Sequence, residues 1–105
     1  MAIYRKKENV HGYYTNTYVV VHTHSYVCDN ENGESIYAPT KFAVKPEKIT
    51  KLKEILYTDS PGYKTVLYFE GDEIKVLESF DEIVELIDSY NKNNKKHDLI
   101  DDENN

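Results

Sequence analysis

The chain has 105 residues, a formal net charge of −6, 39% apolar residues, ten tyrosines and a single arginine. A chain of this length forms one domain with a modest core, because folding buries roughly two-thirds of its extended surface. The negative balance and the scarcity of arginine argue against a nucleic-acid binder, which neutralises phosphates with clustered Lys and Arg; basic runs are confined to Arg5-Lys6-Lys7 and Lys95-Lys96.

Cys28 is the only cysteine, so no internal disulfide can form, which fits a reducing compartment. The run Met1–Lys7 lacks the apolar stretch of a signal peptide. No segment approaches the roughly 20 apolar residues of a membrane span. These features give the expectation of a cytoplasmic protein without membrane association.

In chain order, residues 1–14 scatter Tyr4, Val10, Tyr13 and Tyr14 among charges and read as an extended arm or short irregular strand. Residues 17–27 are dense in β-branched and aromatic side chains and predict a strand, long enough to carry a bend or bulge. Asp29-Asn30-Glu31-Asn32-Gly33 is a turn, and Ser35–Val44 returns as the second strand of a hairpin, with Pro39 marking an edge or a break. Residues 46–56 are ambiguous. Ile49, Leu52, Ile55 and Leu56 fit a helical stripe with Pro46 in the first turn somewhat better than they fit a strand. Asp59-Ser60-Pro61-Gly62 reads as a further turn.

Two apolar runs, 64–69 and 73–77, are bridged by Glu70-Gly71-Asp72 and predict a tight second hairpin. Ser79-Phe80-Asp81-Glu82 has the spacing of a capping box, in which the Ser hydroxyl and the Glu carboxylate exchange hydrogen bonds with each other's backbone N–H. Phe80, Ile83, Val84, Ile87 and Tyr90 follow at the spacing of one helical face. Periodicity stops at Tyr90, so residues 91–105 are expected to be a polar disordered tail behind a single domain of residues 1–90. The fold class expected is α+β: a small antiparallel sheet of two hairpins and about four or five strands, with one C-terminal amphipathic helix packed on it.

The stretch from about Val44 to Ile87 resembles the FlbD/SwrD-like family of small proteins, associated with flagellar and swarming motility and echoed among phage proteins. The resemblance is carried by Lys45-Pro46-Glu47-Lys48-Ile49, by Val66 to Val76 around Glu70-Gly71-Asp72, and by Leu77-Glu78-Ser79-Phe80-Asp81-Glu82-Ile83 leading into the helix. It covers under half of the chain. The resemblance implies a small sheet with one packed helix and no enzymatic role, and it favours a strand over residues 46–56. The N-terminal hairpin region and the polar tail depart from the family pattern. Abundant Asn, Lys, Ile and Tyr fit an AT-rich bacterial or phage genome.

Candidate sites are few. His22 and His24 flank Thr23, so a strand would place both on one face with Tyr18, Tyr26 and Cys28, and His11 could join them as zinc ligands. No Cys-x-x-Cys or His-Glu-x-x-His spacing supports a metal, so the expectation is ordinary polar side chains and no cofactor. Cys28 has no base within reach along a straight strand, so it is not read as a nucleophile. Glu78, Asp81, Glu82, Glu85 and Asp88 form an acidic surface at the start of the helix, suited to the helix dipole or to a basic partner. The tyrosines crowd the first 40 residues, and tyrosine is enriched at protein interfaces.

The reading is a non-catalytic protein-interaction or small structural protein, with self-association through a strand edge as one outcome. Its expected partner-binding residues are Tyr14, Tyr18, His22, His24, Tyr26, Glu78, Asp81 and Glu85, and no small-molecule substrate is inferred. The alternative is a phage-encoded inhibitor that covers a basic site of a host protein with its acidic surface.

Overall fold

The structure is a computed structural model that describes residues 1–6, 10–56 and 62–103. It is an α+β fold of two sheets and one C-terminal helix. The expected turn at Asp59–Pro61 lies outside the described residues.

The first sheet contains β1 (Ala2–Tyr4), β2 (Tyr13–Tyr14), β3 (Val19–Asp29) and β4 (Ser35–Val44) in the order β1-β4-β3-β2. The expected hairpin is β3–β4, antiparallel from Val19↔Val44 to Asp29↔Ser35. Its turn is held by Asn30, whose side-chain oxygen accepts the backbone N–H groups of Asn32 and Glu34. The N-terminal arm belongs to this sheet on both flanks. β1 runs parallel to β4, and β2 pairs with the first two residues of β3.

Pro39 sits inside β4, opposite His24. The Tyr37 carbonyl points toward β1, where it accepts the Arg5 N–H, and Pro39 points its nitrogen the same way two residues on. β1 has ended at Tyr4 by that point, so the missing N–H falls on an open edge and costs no ladder bond.

Residues 46–56 resolve as a short 3-10 turn, Pro46–Lys48, followed by β5 (Ile49–Glu54), so the helical stripe is not used. Tertiary pairing overrides the local pattern here. β5 lies against β6 (Thr65–Phe69), which pairs in turn with β7 (Asp72–Val76), making a second, three-stranded sheet. The β6–β7 connection is a two-residue turn with φ of 46° at Glu70 and 80° at Gly71, the doubly left-handed geometry that matches the twist of a hairpin. The described residues form seven strands against the four or five expected, because the arm and residues 49–54 each contribute strands.

The helix α1 spans Phe80–Glu103 and so continues past Tyr90, where the apolar periodicity ends. No Gly or Pro follows Pro61 except Gly62 and Gly71, and nothing in residues 91–103 stops a helix. Ser79 caps it through one half of the capping box, its Oγ accepting the Glu82 N–H at 3.2 Å. Glu82 does not reach back; its Oε2 accepts the N–H of Gly12 at 2.6 Å instead. Ile83 and Tyr90 are buried as the stripe predicts, whereas Val84 is 44% exposed and Leu86 packs against the core in its place.

The central cluster comprises Val19, Val21, Val76, Ile83 and Tyr90, bordered by Phe42, Leu52, Ile74, Leu86 and Ile87. It joins β3, β7 and α1, and so welds the two sheets and the helix together. Residues Val19 to His22 are all buried, so both faces of β3 are covered at its start. From Ser25 to Asp29 every residue of the same strand is exposed. Among the described residues no helix is long and apolar enough to cross a membrane.

Gly12 marks a close approach between the arm and the helix. A Cβ there would lie 2.6 Å from Leu86 Cδ1 and 3.0 Å from the Val20 carbonyl oxygen. Gly12→Ala is therefore expected to destabilise the protein by about 1–3 kcal/mol through overpacking, read as a lower urea midpoint with an unchanged slope.

Candidate functional site

Two arrangements bring together the residues with chemistry, one closed and one open. The closed one is a buried pair. His22 lies on β3 with 8% exposure and Glu78 lies between β7 and α1 with 1%. One Glu78 oxygen accepts the His22 backbone N–H at 2.8 Å, and the other lies 2.6 Å from His22 Nδ1. The short contact at Nδ1 holds one proton between the carboxyl oxygen and the ring nitrogen, and the His22 backbone N–H donates to the other oxygen. Two more bonds close the junction: the Leu77 N–H donates to the His22 carbonyl, and Thr65 Oγ1 donates to the Glu78 carbonyl, both at 2.9 Å. Both Glu78 side-chain oxygens thus have partners, and the Glu78 side chain is fully buried.

This placement corrects two sequence-based expectations. His22 and Glu78 were read as parts of a partner-facing surface, and they face each other inside the molecule instead. The reason is long-range: nothing local in the chain signals that residues 22 and 78 meet. The candidate metal set also separates. Tyr26 pairs with Tyr37, but the ladder slips at the next residue and Cys28 pairs with Ile36. Adjacent residues of β4 point to opposite faces, so this bulge turns Cys28 away from the face carrying His22, His24 and Tyr26. Among the described residues no three His, Cys, Asp or Glu side chains are grouped to hold a metal ion.

The open arrangement is an aromatic row on the exposed half of the first sheet. Tyr26 meets Tyr37 edge-on at 5.9 Å between ring centroids, and Tyr37 stacks on Tyr4 at 5.0 Å. Tyr4 meets His24 at 5.0 Å, and His24 meets Tyr63 at 5.1 Å, both edge-to-face. Five rings from three strands and the 62–64 segment thus form one continuous contact, within the range where aromatic pairs attract. Burial lowers the His24 pKa below the ordinary 6.5, which keeps the ring neutral at pH 7. Among the described residues the buried Nδ1 of His24 has no hydrogen-bond partner.

Beside this row lies a cavity of about 510 Å3, lined by Tyr4, Arg5, Lys6, Val10, His11, His24, Pro39, Gly62, Lys64 and Leu77. It opens between the arm, the β3–β4 hairpin and the segment leading into β6. Arg5-Lys6 stands out in the sequence as a basic patch, but nothing there marks Tyr4, Pro39 and Lys64 as its neighbours. The patch was visible; its meeting with residues 62–64 was not, because only the tertiary fold brings them together.

The other expected partner-binding residues stay at the surface. Tyr18 is 39% and Tyr26 56% exposed, with Val27 beside it at 48%. Tyr14 is half-turned toward the helix, its hydroxyl accepting from the Asn93 side chain at 2.7 Å. Asp81 and Glu85 are exposed and share a helical face with Asp88, which pairs with Lys92. Glu82 is half-buried, tied to Gly12 and 3.5 Å from His11 Nδ1. No protein-family model matches the chain, and neither a curated protein nor a solved structure matches it.

Removing one partner of a buried hydrogen-bonded pair leaves the other's polar group desolvated and unpaired. Glu78→Ala and His22→Ala are each expected to cost about 1–3 kcal/mol. The double variant should cost clearly less than the sum, a coupling that a double-mutant cycle from urea unfolding will measure.

Proposed function

We propose that the protein is a non-catalytic interaction protein that binds a protein partner through the distal half of its first sheet. The observation that carries this reading is the exposed run Ser25–Asp29 of β3, which combines a bare strand edge with large apolar side chains. β2 covers β3 only at Val19 and Val20. The pairing Tyr26↔Tyr37 is one in which both residues turn their backbone groups outward, since the Tyr37 carbonyl bonds to Arg5 on the other side. The Tyr26 N–H and C=O therefore face the free edge, and among the described residues no strand takes them up. An edge of this kind accepts an added strand, from a second copy of the chain or from another protein. The tyrosines give such a contact area at low conformational cost.

A small accessory protein of a bacterium or its phage fits this behaviour, as does a cytoplasmic location. The resemblance of residues 44–87 to FlbD/SwrD-like proteins is consistent with a non-enzymatic role. A second reading, an inhibitor that covers a basic site on a host protein, is favoured by the exposed carboxylates Asp81, Glu85 and Asp88 on one helical face.

Tyr26→Pro removes the outward N–H without breaking a ladder bond to β4. It is expected to keep the fold and to abolish strand addition, read as loss of the concentration-dependent mass in light scattering or of a stoichiometric partner. Asp81→Lys with Glu85→Lys should leave that association intact. The opposite pattern would support the inhibitor reading instead.

A further inference from the structure

We propose that the cavity between the arm, the first hairpin and the segment before β6 is a binding site for a small phosphomonoester with an apolar or aromatic organic group. The cavity and its lining residues come from distant parts of the chain, and this inference is independent of strand addition at β3.

Charge is the first argument. The chain carries a net charge of −6, yet the described lining residues include Arg5, Lys6 and Lys64 and no carboxylate. Cations gathered at one concavity against the overall charge of the molecule repel one another and cost stability unless something compensates them. Among the described residues none of these three takes part in an ion pair. Three permanent positive charges suit a dianionic phosphate better than a singly charged carboxylate, and Arg5 supplies the planar fork that binds phosphate through two parallel hydrogen bonds.

Size and the remaining lining give the second argument. About 510 Å3 is within the range of cavities that enclose small ligands. Val10, Pro39 and Leu77 provide apolar wall for an organic group, and Tyr4 and His24 provide aromatic wall. His24 also brings the third argument. Among the described residues its buried Nδ1 has no hydrogen-bond partner, a position that a ligand atom can fill. As a neutral ring it can donate one hydrogen bond to a ligand or accept one from it.

Exposed Arg5 and Lys64 are suitable for substitution because they stabilise little by contact.

The test is titration of the full chain with phenyl phosphate, followed by backbone amide and imidazole NMR signals. Saturable shifts are expected at Arg5, Lys6, Gly62 and Lys64, together with an upward movement of the His24 titration midpoint as the phosphate charge stabilises the imidazolium. Arg5→Gln combined with Lys64→Gln should weaken binding by about tenfold or more, equivalent to at least about 1.4 kcal/mol, with the unfolding midpoint unchanged. Lys41→Gln, which lies over the Tyr13 ring away from the cavity, should leave binding unaltered. Inorganic phosphate should bind at the same residues but more weakly, for want of the ring. Benzoate binding as tightly as phenyl phosphate would overturn the assignment to a phosphate. The site itself would be overturned by shifts that do not saturate, or that survive the double substitution.

Discussion

The fold depends on one buried contact, the carboxylate of Glu78 against His22. Glu78 stands where the second sheet ends and the helix begins, and His22 stands where the first long strand passes from buried to open surroundings. A fully buried carboxyl group is stable only when polar partners surround it, and here they are the backbone N–H and ring of a single residue on the other sheet. The contact is therefore geometrically demanding: it fixes the separation of β3 from β7 and the point at which α1 sets off. The Leu77 to His22 backbone bond repeats the same tie, so the two sheets meet almost as one surface. Apolar packing of Val19, Val21, Val76 and Ile83 around the junction supplies the non-directional stability. The polar tie supplies the register.

Everything beyond the junction is less covered, and that is where binding surface appears. β3 outruns its neighbour β2, and β1 shields β4 only as far as Tyr37. Among the described residues the hairpin end thus carries an unpaired edge and an aromatic row whose rings support each other. The arm returns from β1 to Gly12, where it is pinned by Glu82, and the cavity lies along that path. A surface for an added strand and a concavity with basic lining are separate consequences of one design, a long hairpin anchored at only one end.

Much of the fold was legible from local chemistry. The two hairpins were marked by Asp29–Gly33 and Glu70–Gly71, residues whose side chains or backbone freedom suit reversal of the chain. The helix was marked by Ser79 and by apolar spacing from Ile83 to Tyr90, though its continuation to Glu103 was not, because polar residues that lack a breaker give neither a stop nor a stripe. Residues 46–56 stay open on local pattern because Ile49, Leu52 and Ile55 fit both periods, and pairing with β6 decides for a strand over 49–54. The candidate site was less legible. The tyrosines of the first hairpin were identifiable by composition, but the burial of His22 and Glu78 arises from a contact across 56 positions, which no local pattern encodes. A single bulged residue, Val27, likewise undid the expected alignment of Cys28 with the histidines.

Native-state hydrogen exchange resolved by residue tests the central claim most directly, because the junction and the open edge sit on the same strand. If the Glu78–His22 contact organises the fold, the amides of His22 and Leu77 will exchange only with global unfolding, while those of His24 and Tyr26 will exchange orders of magnitude faster through local opening. Uniform protection along β3, or a His22 amide that exchanges as fast as Tyr26, would contradict the account.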